Sequence, residues 1–359
     1  MRFPEDWSET RKVYESWWAH ELERPVVQVF YPPEDAGPGT PFDSWSFLKY
    51  KNDPDALHSL LETFPETERY AGDAFPSLFV NLGPGVLAAY FSGYLGFDDF
   101  NNTAWFEKSR PWDEVEGFTF TDDNEWWQYT QFATQMCAEA AKDRFIVGMT
   151  DIGGMLDVLA ALRGTENLLM DLVAQPERVN QMRRRILDAW HQAHDSLNAV
   201  IARVQQGTSS WVRIWCPSTY YPLQCDFCAM ISPGMFETFV APDVREQCQR
   251  LGHGLFHLDG PGQLPHVDLL LDIPELDGIQ WVPGSGNPQC DSPQYFPMYE
   301  KILGKGKSLV LQTFDDWRNI PRILEALPGK GMLFSVTVAS KKEARELLNA
   351  FEMPISEEP

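Results

Sequence analysis

The sequence predicts an α/β chain: a single (β/α)8 TIM barrel with an N-terminal helical arm and an insertion after the second strand. Three observations carry that expectation. Eight short β-branched or apolar runs alternate with helical stretches, the count of an eight-stranded barrel. Most of these runs lack polar alternation, as strands buried on both faces of a parallel sheet do. The Gly-rich GxGxxG turn that opens a doubly wound sheet is absent after the first run, where YPPEDAGPGT (31–40) reads as a proline-broken loop. No repeat, low-complexity tract or Gly/Ser linker divides the 359 residues, although at about 150 residues per domain the length alone admits two domains. The expected organisation is an arm and first strand over 1–70, the barrel over 71–350, and a tail over 351–359.

The elements follow in order. Candidate strands are 26–30 (VVQVF), 77–81 (SLFVN), 144–149 (RFIVGM), 211–216 (WVRIWC), 254–259 (GLFHLD), 278–283 (GIQWVP), 308–313 (SLVLQT) and 332–338 (MLFSVTV). Over 177–206, Val179, Met182, Ile186, Trp190, Leu197, Ile201 and Val204 recur at helical spacing, with Pro176 suited to the first turn and Gly207 to a stop. Over 232–250, Ser232 can cap, Pro233 fits the first helical position, and Phe236, Phe239 and Val240 form an apolar stripe. PHVDLLLDIPEL and DWRNIPRILEAL (316–327) supply further helices. The aromatic, acidic stretch 98–130 falls outside the repeat and reads as an insertion carrying a hairpin.

Composition narrows the function. Hydrophobic residues at 43% are enough for a sizeable core. Twenty-nine Lys+Arg against 52 Asp+Glu give a net charge of −23. A surface that acidic repels phosphate backbones and anionic lipid, so neither nucleic acid nor membrane is an expected partner. No apolar run approaches the roughly 18–20 residues of a membrane span. MRFPEDWSETRK places charges where a signal peptide needs an apolar core. The expectation is an acidic cytoplasmic protein acting on a small molecule. Six cysteines are too few for a disulfide scaffold.

Barrel active sites gather at the C-terminal ends of strands, which directs attention to particular residues. Asp73, followed by NLGPG, belongs to the second strand's rim, and Asp151 in TDIGG to the third. Both are candidate substrate contacts. The fourth rim carries CPSTYYPLQCDFC, with Tyr220 and Asp226 as candidate catalytic groups and Tyr221 as a substrate contact. His257 and Asp259 lie two apart on one strand, so their side chains share a face. That pair can supply two metal ligands, or an imidazole kept charged by a carboxylate. Gly260 and Gly262 would let the backbone approach a ligand closely. Trp281 is the tryptophan expected in the pocket. Cys225-x-x-Cys228 is a single CxxC, and by topology Cys228 and Cys290 join His257 and Asp259 as candidate metal ligands. Zinc held by thiolate and imidazole with one open position would activate a thiol or water. Buried cysteines without metal are the competing reading.

GMTDIGGMLDVLAALRGTENLLMDLVAQPERV (148–179), CDFCAMISPGMFETFVAP (225–242), HLDGPG (257–262) and DGIQWVPG (277–284) together resemble the uroporphyrinogen decarboxylase-like superfamily, over roughly residues 70–345. The resemblance implies a TIM barrel. It also implies kinship with its zinc methyltransferases, which move methyl groups between corrinoid proteins and thiols, and an expectation of dimerisation. The decarboxylase arginine pair is missing from ERPVVQVFYPP and the C-terminal histidine from MLFSVTVASK, so decarboxylation of uroporphyrinogen is not expected. The methyltransferase branch has His-x-Cys on the fifth strand. Here His257 is kept and Asp259 stands at the cysteine position, while Ser335 and Thr337 lie near the place of the later cysteine.

The leading expectation is therefore a methyltransferase-like enzyme working with a corrinoid protein or a thiol, with zinc as the candidate metal. A metal-free lyase or hydrolase on a polar, sugar-like molecule suits the same tryptophans and carboxylates. A non-catalytic small-molecule binder is the third reading.

Overall fold

The computed structural model describes residues 7–34 and 42–353. Most of the YPPEDAGPGT loop, and the expected tail from 354 onward, lie outside these residues. Among the described residues there are twelve strands: β1 (Val26–Tyr31), β2 (Arg69–Gly72), β3 (Ser77–Phe79), β4 (Gly96–Asp98), β5 (Thr103–Trp105), β6 (Ile146–Met149), β7 (Ser209–Ser210), β8 (Tyr220–Gln224), β9 (His253–Asp259), β10 (Gly278–Val282), β11 (Ser308–Leu311) and β12 (Met332–Thr337). The main sheet runs β2-β1-β12-β11-β10-β9-β8, and every pair in it is parallel except β1–β2. A second, parallel sheet runs β3-β6-β7. The insertion opens with the antiparallel pair β4–β5.

The chain is thus α/β with a largely parallel sheet, but among the described residues no ladder closes it into a barrel. Two local causes interrupt the ring. The free edge of β1 is taken by antiparallel β2, in register from Gln28↔Gly72 to Tyr31↔Arg69. The run WVRIWC, expected as the fourth strand, does not join a sheet; its flanks β7 and β8 pair with different sheets.

Residues 211–216 form a plug instead. An antiparallel bridge Thr208↔Cys216 pinches its base, and Arg213 adopts a left-handed φ of 60° at its turn. Val212 and Ile214 are buried with Val26, Leu255, Val310 and Leu333, in a core on the sheet face away from most of the helices. Three successive plug carbonyls are satisfied by side chains from other segments. Gln312 donates to Val212 (3.1 Å), Gln28 to Arg213 (2.7 Å) and the Tyr220 hydroxyl to Ile214 (2.8 Å). A buried carbonyl left unpaired would cost about 1–3 kcal/mol, so these partners are what let a loop occupy an interior.

Helices cover the opposite sheet face. Pro176–Ile201 forms over most of the expected stretch, burying Val179, Met182, Ile186, Trp190, Leu197 and Ile201, but it ends short of residue 206 and leaves Val204 exposed in the turn that follows. The helix expected over 232–250 is two helices, Pro233–Phe239 and Ala241–Arg250, because Pro242 cannot continue the hydrogen-bond ladder of the first. Ser232 caps the first of them through Met235 N–H (3.3 Å).

On the long helix, His194 stacks on Trp190 (5.2 Å) and buried His191 meets its edge. The His191 imidazole is pushed down to about 4, by burial first and Arg250 next. The unfolded chain takes up this proton near 6.5 and the fold resists it until about 4, so stability falls as pH drops through that window. His191→Leu cannot charge. Urea unfolding at pH 7 and pH 5 should show a smaller acid loss for the variant than for the parent, and equal losses would acquit His191.

Candidate functional site

The functional cluster grows from the alternation of β9. Leu255, His257 and Asp259 share one face, while Phe256 and Leu258 face the helix layer. Along the inward face the character changes with height. Val26, Leu255, Val310 and Leu333 form an apolar layer, and above it come Gln28, Gln280, Gln312, His257, Gln224 and Asp259. Register ties these together: Gln224↔His257↔Gln280 and Asp259↔Val282.

Asp226 enters from the 3-10 turn Asp226–Met230 that follows β8. Its carboxylate, the His257 ring and the Asp259 carboxylate each offer a donor atom, all within 4.8 Å of one another. Asp226 keeps accessible surface at the mouth. Its carboxyl is nevertheless pushed up, first by the surrounding protein and also by Asp259, against the opposing pull of His257. Asp151 accepts from Gly153 N–H (3.0 Å), the Tyr221 hydroxyl (3.3 Å) and Gln224 Nε2 (3.1 Å). Burial above all raises it to about 6, with Asp226 adding. Asp157 accepts from Phe227 N–H (2.7 Å) and is raised to about 7 by burial and then by Asp226. The strongest charge influences on these three carboxyls are one another, Asp259 and His257. Such a site favours a bound cation.

The TDIGG segment carries Asp151 into place through close backbone contact. A Cβ on Gly153 would stand 2.6 Å from Gly85 Cα, and one on Gly154 would stand 2.1 Å from the Gln224 carbonyl oxygen. A side chain at Gly153 would push the loop off the Gly85 turn, and one at Gly154 would push it off β8. Gly262 does a similar service, since its Cβ would meet Ala229 at 3.0 Å. It seats the β9 loop on the Asp226 turn.

Several expected site residues lie elsewhere. Asp73 precedes β3 and sits at the start of β1, where it accepts from Val27 N–H (2.9 Å) and from both Arg24 terminal nitrogens (2.6 and 2.8 Å). That is the end opposite the cluster, so Asp73 is a buttress and not a substrate contact. Tyr220 begins β8 level with His253, its hydroxyl held between Ser210 Oγ (2.7 Å) and the Ile214 carbonyl. It supports the plug and has no catalytic position. Tyr221 points into the helix layer against Trp190 (5.0 Å) and receives Ile152 N–H (2.8 Å). Fully buried, it orients the Asp151 loop from the helix side and not from the open mouth where a substrate contact was expected. Trp281 is one residue out of phase with Gln280, faces outward, and packs on Tyr295 (5.1 Å).

The cysteines are likewise absent from the cluster. In a 3-10 turn residues two apart point about 240° from one another, so with Asp226 at the mouth Cys228 turns into the core, fully buried. Cys290 is pinned between the Trp281 carbonyl (3.4 Å) and Thr313 Oγ1 (3.3 Å), and burial pushes its thiol up. The donor set is one imidazole and two carboxylates. It suits a divalent cation of the zinc, manganese or iron kind and departs from a thiolate site.

Sequence reading missed Asp157, Trp211, whose ring edge meets the His257 imidazole at 5.0 Å, and the glutamines Gln28, Gln280 and Gln312. The signal was present: VVQVF, GIQWV and LVLQT each hold one glutamine in an otherwise apolar strand. Burying an amide there requires a partner.

These features define an α/β protein whose strand ends converge on a histidine–carboxylate cluster. No family model matches the chain, and no curated protein matches it. Among solved structures it is similar to a methyltransferase from Methanosarcina mazei, with a TM-score of 0.59 and 11% identity, covering 94% of this chain and 96% of that one. At that identity the likeness is one of fold. Among the described residues no helix is long and apolar enough to cross a membrane.

Proposed function

We propose that this chain is a methyltransferase-like enzyme of the uroporphyrinogen decarboxylase-like superfamily. Its reaction is transfer of a methyl group between a small molecule and a corrinoid protein or thiol, with a divalent metal, zinc first, at Asp226, His257 and Asp259. The carrying observation is the convergence of those three donors within 4.8 Å. The shared fold with a protein named methyltransferase adds weight.

A bound divalent cation would supply Lewis acidity, lowering the pKa of an incoming thiol. His257 offers a ring nitrogen, while Asp226 and Asp259 offer oxygens and balance the cation's charge. Asp151, raised to about 6, stands beside them as a group suited to hold or release a proton near neutrality. One observation favours a second reading, a metal-free lyase or hydrolase on a polar, sugar-like molecule: burial raises the Asp151 and Asp157 carboxyls to about 6 and about 7, toward the range of a general acid.

Elemental analysis of the purified chain, before and after reconstitution with zinc, manganese, cobalt or iron, separates the two. About one metal per chain is expected, because a preformed site binds its ion stoichiometrically. Methylcobalamin with thiol acceptors should then be demethylated by the loaded protein. Failure to retain any of the four metals would overturn the proposal and move the chemistry to the carboxyl groups.

A further inference from the structure

Behind His257 runs a chain of side-chain amides whose polarity has one solution. Gln312 Nε2 lies 3.1 Å from the Val212 carbonyl oxygen, and a carbonyl can only accept. Gln312 therefore presents Oε1 to its other neighbour, Gln280, whose Nε2 donates at 2.6 Å. Gln280 is left with Oε1, which faces His257 Nδ1 at 2.6 Å. An amide oxygen cannot donate, so Nδ1 must carry the proton. Neutral His257 then holds its lone pair on Nε2, the nitrogen free to face the cluster. Reversing either amide would set two acceptors or two donors against each other along the relay. The edge of Trp211 meets the imidazole at 5.0 Å and 84° and holds its plane.

We infer that Gln280 and Gln312 are positioning residues that fix the His257 tautomer, with the Val212 carbonyl of the plug as the anchor that sets its sense. This gives the plug a second purpose: residues 211–213 fill the interior and also dictate which nitrogen of a β9 histidine is basic. Gln280 meets His257 at Nδ1 and Gln312 meets Gln280, so both act through His257. The consequence for metal affinity rests on the reading of the cluster as a metal site, whereas the tautomer itself does not.

The test uses the full chain, metal-free and labelled with 15N-histidine. Seven histidines are present, and His257 is assigned by difference with His257→Asn. At a pH where its imidazole is neutral, the parent should show His257 protonated at Nδ1 and bare at Nε2. Gln280→Leu, which removes the acceptor, should lose that preference. Gln280→Glu, which keeps an oxygen facing Nδ1, should retain it. Zinc affinity should fall about 10–100-fold in Gln280→Leu, the usual cost of losing an outer partner of a metal-binding histidine, and by less in Gln312→Leu. A parent His257 protonated at Nε2 would overturn the inference, as would a Gln280→Leu protein with unchanged tautomer. If the parent binds no metal, the cluster reading fails while the tautomer measurement still decides the relay.

Discussion

His257→Ala should abolish metal retention while leaving the chain folded. The loss should exceed the roughly 10–100-fold that an outer partner is worth, because it removes the cluster's only nitrogen donor. The alanine leaves two of the three donors, so the remaining carboxylates bind a cation more weakly and without the imidazole's geometry. Asp259→Asn should act in the same direction, since it withdraws one charged oxygen from the three donors that lie within 4.8 Å. Cys228→Ser and Cys290→Ser are the informative controls. Both thiols are buried away from the cluster, so neither change should alter metal content. Calorimetric titration with zinc of the four variants and the parent reads all of this at once. A His257→Ala protein that binds as the parent does, or a cysteine variant that does not bind, would place the site elsewhere.

Asp73→Ala should cost about 2–3 kcal/mol of stability and leave ligand and metal binding untouched. The carboxylate is almost fully buried and satisfies three donors: both Arg24 nitrogens and Val27 N–H. Removing it orphans a buried backbone N–H and breaks a bidentate ion pair, each a charge-assisted bond worth about 1.5–3 kcal/mol. Arg24 is partly open to solvent and can turn to water, which keeps the total below the 3–5 kcal/mol of a fully buried pair. Denaturant unfolding measures the stability, and zinc titration of the same protein measures the site. If Asp73→Ala were as stable as the parent but failed to bind, the carboxylate would belong to the cluster after all.

The two residues make the same point from opposite sides about what could be read from the chain. His257 and Asp259 were legible because a strand's period of two is a local property, and HLDGPG states it without help. Asp226 was legible as a rim residue, but its meeting with His257 depends on the register Gln224↔His257, which no local pattern specifies. Cys228, two residues after Asp226, and Cys290, beyond the next strand, looked like ligands by topology. Their direction is set by a 3-10 turn and by Thr313, and both send the sulfur away. Trp281 fails by a single residue of phase, since Gln280 takes the inward position and leaves the ring outside. Asp73 fails because it precedes β3 and so lies where the strands start, beside Val27 of β1, and Tyr220 fails because the fourth strand is not WVRIWC. Once β8 begins at Tyr220, that side chain opens a strand at the end far from the cluster.

The amino-acid sequence by itself determined the α/β class, most of the parallel strands, the long helix from Pro176 and the pairing of His257 with Asp259. These follow from periodicity, capping and composition, which act over a few residues. Tertiary structure alone decided the open sheet, the plug, the cluster's third member and the amide relay behind it. A run as apolar and β-branched as WVRIWC satisfies a strand's local preferences. It fills the interior instead because Val212 and Ile214 bury there while Gln28, Gln312 and Tyr220 satisfy its carbonyls. Hydrogen-bond partners a hundred residues or more away, as Gln312 is from Val212 and Gln28 from Arg213, settle where such a segment goes.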